Sequence, residues 1–179
     1  MRSNVQSTRT GPTMRRVVSV MLVWLLAGCM STVTKDMTLT HGHDTYGSIH
    51  ARTGWGGDLR WPPDEGLDRF EVRLDRKLVE RRGFTLTDDG LQLACLVTKF
   101  AHGVILVPFS PVSMLSGSGH GYPSEAEVRF EVRNADGHVL ATGYVRVESG
   151  GHSDEAARGA LERCADEIAA MTRREFLKK

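Results

Sequence analysis

No sign of charge dominates this chain. It carries 23 basic and 22 acidic side chains, a formal net charge of +1. Domains that bind nucleic acid usually show a strong basic excess, so nucleic acid is not an expected partner. There is also no apolar run of the ~20 residues that a membrane-spanning helix needs. The main apolar stretch, Val17 to Leu26, has ten. Catalytic signatures are missing too. Neither the G-x-S-x-G elbow of a serine hydrolase nor an H-E-x-x-H zinc helix occurs. Gly117-Ser118-Gly119-His120-Gly121 matches no phosphate-binding pattern, and Pro123 follows it where a helix would have to begin. No nucleophile, base and oxyanion donor can be assembled from the residues present, so no enzyme and no cofactor are expected. Cysteine is scarce, with only Cys29, Cys95 and Cys164.

The first of these cysteines carries the most information. Arg15 and Arg16 form a positive region, Val17 to Leu26 an apolar one, and Leu26-Ala27-Gly28-Cys29 closes it with small residues before the thiol. These residues resemble the lipobox of Gram-negative lipoproteins, which are cut before the cysteine and acylated on it. The resemblance implies a signal peptide over residues 1–28 and lipidation of Cys29, with the membrane as a partner through that anchor. Such lipoproteins often keep an Asp after the cysteine when they stay in the inner membrane. Met30 stands there, which implies the outer membrane with the domain facing the periplasm. Residues 1–13 precede a second methionine, Met14, and lengthen the leader unusually, as an upstream start codon would. Loss of the four leader arginines leaves 19 basic and 22 acidic residues, a net charge of −3.

The remaining 151 residues suffice for one domain with a real core. Residues 29–36 read as a tether and 37–179 as the domain. Met37-Thr38-Leu39 is a candidate first strand, and residues 41–64, rich in Gly, His, Thr, Asp and Pro without a period, read as a long loop. Leu67, Phe70, Leu74 and Leu78 then give the apolar stripe of a helix over about 65–82, stopped by Gly83. Val72 and Val79 suggest a narrow second apolar contact. Asp68, Glu71 and Asp75 form an acidic row, and Arg69, Arg73, Arg76 and Lys77 a basic one that reads as solvated. Leu91, Leu93, Cys95 and Val97 alternate as a strand.

Residues 125–149 show clean alternation on both sides of Asn134-Ala135-Asp136-Gly137, the signature of an antiparallel hairpin with one wet face. Ser153 caps a last helix over about 154–175, with Ala157, Ala160, Leu161, Cys164, Ile168 and Met171 as its buried stripe. This order predicts an α+β fold, a small antiparallel sheet with two amphipathic helices packed on one face.

Three features are candidates for chemistry or contact. Cys95 and Cys164 would form a disulfide in an oxidising compartment, or stay as two separate buried thiols. His41 and His43 could ligate zinc or copper, against the alternative of a hydrated loop. Val104, Ile105, Leu106, Val107 and Phe109 form an apolar run interrupted by Pro108, either a contact loop or a segment that packs over the sheet or forms an edge strand.

Lipobox, small single domain, Asp-Gly hairpin and final amphipathic helix together resemble the small outer-membrane lipoproteins of Gram-negative bacteria, the YajG-like and related groups. That resemblance implies a non-catalytic binding or scaffolding role, or service as an assembly accessory factor with an envelope protein as partner. The alternative is a periplasmic carrier of a hydrophobic or metal ligand.

Overall fold

The structure is a computed structural model that describes residues 31–40, 44–56, 64–103, 105–106 and 120–178. Ser31–Lys179 form one compact unit. Among the described residues eight strands and two helices follow in order. They are β1 (Thr32–Leu39), β2 (Ser48–Trp55), α1 (Asp64–Val79), β3 (Thr85–Leu86), β4 (Leu91–Ala101), β5 (Ile105–Leu106), β6 (His120–Gly121), β7 (Ser124–Arg133), β8 (Val139–Ser149) and α2 (Asp154–Phe176). Six strands form one sheet in the order β1-β8-β7-β4-β2-β3, and β5 and β6 pair separately. Among the described residues no helix is long and apolar enough to cross a membrane.

The α+β class is observed, but the sheet is mixed. β2 runs parallel to both β4 and β3, whereas β1, β8, β7 and β4 pair antiparallel. Parallel neighbours need a long crossover, and α1 supplies it between β2 and β4. The βαβ unit is hidden in the sequence because its first strand lies inside the supposed loop 41–64. In β2 only Ile49 is fully buried. Pairing with β4 over seven positions, from Ile49↔Leu91 to Trp55↔Val97, makes a strand of residues with weak local preference. The tether is likewise shorter than expected, since Thr32 to Asp36 belong to β1 and pair without a break to β8.

The helices cover one face of the sheet. Phe70, Leu74 and Leu78 of α1 are fully buried, while Val72 and Val79 are exposed and make no second contact row. α1 does not stop in the expected way. Arg81 and Arg82 hold the left-handed conformation, with φ of 51° and 61°. Gly83 instead permits close approach, because a Cβ there would lie 1.9 Å from the Leu78 carbonyl oxygen. In α2 the Ser153 hydroxyl accepts the Ala156 N–H at 3.2 Å, and Asp154 and Glu155 occupy the first turn as the helix dipole favours. Its buried stripe includes Ala157, Ala160, Ala165 and Ala169, small enough to bring the helix close to β7 and β8.

The two helices are tied by charge. Arg73 donates to both oxygens of Asp166 at 2.8 and 2.7 Å and to Glu162 at 3.1 Å. Of the basic row, Arg69 and Arg73 therefore meet acids of α2, whereas Lys77 meets Glu80 and Arg76 is exposed. Arg173 answers from α2 by donating to the Lys77 carbonyl at 3.0 Å.

Cys95 and Cys164 are separate buried thiols, not a disulfide. Cys95 lies in β4 between Thr53 of β2 and Phe130 of β7. Cys164 lies over β7 and β8, with its thiol 3.7 Å from the carbonyl oxygens of Ala126 and Val145. Burial raises the pKa of both, that of Cys164 to about 12. Such a shift cuts the thiolate fraction at pH 8 roughly a thousandfold. In the Cys29→Ala chain, iodoacetamide at pH 8 should therefore leave both thiols unmodified in the folded state. Both should be labelled in guanidinium without reductant, as counted by mass spectrometry. Failure to label after unfolding would mean they are bonded.

Candidate functional site

The face of the sheet away from the helices is where the domain offers a surface. Two contacts fix which side chains face which way. Lys35 of β1 reaches Glu167 of α2 at 2.6 Å, and Thr53 of β2 reaches Glu71 of α1 at 2.8 Å. Alternate residues must point the other way. On that open face Thr34, Asp36 and Thr38 of β1 lie beside Arg146, Tyr144 and Thr142 of β8. These in turn oppose Glu127, Arg129 and Glu131 of β7. Ala94 and Leu96 of β4 continue the rows from Glu131 and Arg129, and Arg52 and Gly54 of β2 complete them.

Charges of opposite sign alternate along this face and pair across it. Glu125 is only 8% exposed although neither α1 nor α2 covers it, because Lys99 and Arg146 close over it. Arg146 also meets Glu148 at 3.0 Å. Glu127 accepts from Thr98 at 2.9 Å and lies 3.5 Å from Arg129. On β2, Arg52 donates to His50 Nε2 at 3.0 Å, which leaves the His50 Nδ1 proton for Asp88 at 3.1 Å.

Amid these pairs stand two exposed apolar side chains, Leu96 at 45% and Tyr144 at 36%. Leu96 lies over bare backbone, since a Cβ at Gly56 would fall 2.4 Å from its branch atoms. Arg129, exposed, separates two shallow depressions of about 410 and 440 Å³. Asp36, Thr38 and Tyr144 line the first, and Ala94, Leu96 and Glu131 the second. A third, of about 430 Å³, lies between the helices beside Arg69, Val72 and Arg76.

Most residues singled out in the sequence lie elsewhere. Cys29, His41, His43, Val104, Val107 and Phe109 fall outside the described residues. Ile105 and Leu106 form β5, paired with Gly121 and His120, so that part of the apolar run is a short ribbon strand. Among the described residues no three His, Cys, Asp or Glu come together to hold a metal ion. The acidic row of α1 is not uniformly solvated. Asp75 is half-buried, and burial with nearby Glu71 raises its carboxyl pKa.

The hairpin half of the open face was legible as alternation. The contribution of β2 was missed, although Ser48, His50 and Arg52 alternate with Ile49, Ala51 and Thr53. The exposure of Leu96 was not legible either, because β4 is apolar on both faces.

No family model matches the chain, and no curated protein matches it. Among solved structures it is similar to the PelC dodecamer from Paraburkholderia phytofirmans, at 9% identity over 84% of this chain and 100% of that one, with a TM-score of 0.49. A point variant of the same PelC dodecamer matches at 10% identity over 80% of this chain and 98% of that one, with a TM-score of 0.47.

Proposed function

We propose that this chain is an outer-membrane lipoprotein anchored through Cys29, with its domain in the periplasm. There it acts as a non-catalytic binding or scaffolding factor that presents its open sheet face to an envelope protein. The observation that carries the role is the sheet face that neither α1 nor α2 covers. It combines exposed Leu96 and Tyr144 with the exposed cation of Arg129 in a field of paired charges. Aromatic and arginine side chains in shallow hollows, framed by polar residues, are the usual anatomy of protein contact. The depressions on this face are open to solvent, which suits a partner surface better than an enclosed ligand.

Two measurements test the reading. Metabolic palmitate should label the wild-type chain and not Cys29→Ala, and only the labelled form should sediment with membranes. A photo-crosslinking residue at Tyr144 should give one discrete adduct in cells that is lost when Arg129 is changed to Glu. The same probe at Val72, on the outer side of α1, should give none. Equal labelling of the cysteine variant would remove the anchor. Equal crosslinking at both positions would remove the sheet face as the contact.

A further inference from the structure

We infer that one end of the sheet, the end where the chain enters β1, rests on the lipid surface through its aromatic side chains. This inference rests on the anchor at Cys29 proposed above. Thr32 pairs with Glu148, Glu148 with Glu125, and Glu125 with Ala101. These four residues form one row across β1, β8, β7 and β4. Cys29 precedes Thr32 by three residues, a covalent reach of at most about 11 Å. Because β1 begins so soon, an acylated Cys29 holds this row against the bilayer with almost no tether, whatever else the domain binds.

The side chains at this end suit that position. A bulge between Val97 and Lys99 turns Phe100 back toward the helix side, where it meets Trp55 edge-on with ring centres 6.0 Å apart. His102 stacks edge-on to Phe100 at 6.3 Å, and its side chain is 60% exposed. Tyr122, two residues before β7, is 64% exposed, with its carbonyl fixed 2.7 Å from His152 Nδ1. The series runs from half-buried Trp55, packed against the core, to the surface at His102, with Tyr122 on the neighbouring connection. Amphipathic rings of this kind favour the headgroup region, where one end is apolar and the other wet. Among the described residues the charges here form no basic patch, since Lys99 and Arg146 close over Glu125. His102 faces Asp154 at 3.2 Å, and Arg69 and Arg158 face Glu155. The contact is therefore ring insertion rather than attraction to anionic lipid. The Asn134–Gly137 turn lies at the other end of β7, ten residues and about 33 Å away.

Site-directed spin labelling of the mature lipoprotein tests this in phosphatidylethanolamine and phosphatidylglycerol vesicles. Cys95 and Cys164 are buried, so Tyr122→Cys, His102→Cys and Asp136→Cys each give a single labelled site. The ratio of oxygen to aqueous nickel-chelate accessibility should be at least fivefold higher at 122 and 102 than at 136. Equal ratios at all three positions, in protein that floats with the vesicles, would overturn the inference and leave the anchor intact. Protein that fails to float would instead overturn the anchor, and the inference with it.

Discussion

Gly143→Val should lower the stability of the domain by about 3 kcal/mol, read as a shift in the urea midpoint with an unchanged slope. Gly143 lies in β8 between Phe130 of β7 and Met37 of β1. A Cβ there would come 2.6 Å from Phe130 Cζ and 2.5 Å from the Asp36 carbonyl oxygen. Glycine in a strand interior is usually a weakness, because it has no side chain to pack and loses more entropy on folding. Here close approach outweighs that cost, as the Phe130 ring fills the space a side chain would need. The backbone oxygen on the β1 side cannot rotate away. For a domain of this size the change corresponds to roughly 6–12 °C in Tm. Combined with Phe130→Leu, the loss should fall short of additivity by about 1 kcal/mol, since the smaller side chain vacates part of the contested volume. Strict additivity would show that the ring is not what collides.

Phe70→Ala should cost about 3–5 kcal/mol by the same measurement. Phe70 is fully buried on the stripe of α1 with Leu74 and Leu78. Removing the ring strips apolar contact and leaves a void under a helix that cannot collapse freely. The Arg73 pairs to Asp166 and Glu162 hold α1 against α2, and Arg173 holds its last turn. Val72→Ala on the same helix, at 68% exposure, should change stability by less than about 0.5 kcal/mol. A Phe70→Ala effect as small as that of Val72→Ala would mean that α1 does not cover the sheet as described.

These two positions differ in how far the sequence announced them. Phe70 repeats at helical spacing with Leu67, Leu74 and Leu78, so period alone marked it as buried. Gly143 fell in the alternation of β8, yet its purpose depends on the ring of Phe130, thirteen residues away across the hairpin. Arg81 and Arg82 make the same point. Gly83 was the local favourite for the left-handed position, and tertiary packing assigned it to two arginines while using the glycine's missing Cβ against Leu78.

The sequence by itself determined the elements whose period is strong, namely the two helices, the β7–β8 hairpin and the first half of β4. Local alternation and capping residues suffice there, because each such segment buries a contiguous stripe wherever it is placed. Only the tertiary structure decided the mixed sheet, the place of β2 between β4 and β3, the pairing of Thr32 to Asp36, and the separation of the two thiols. In each case the stabilising partner is distant in sequence. Ile49 becomes core through Leu91, and Cys164 is placed by β7 and β8 rather than by Cys95. Alternation and helical stripes mark which side of a segment is buried, but not which distant segment covers it.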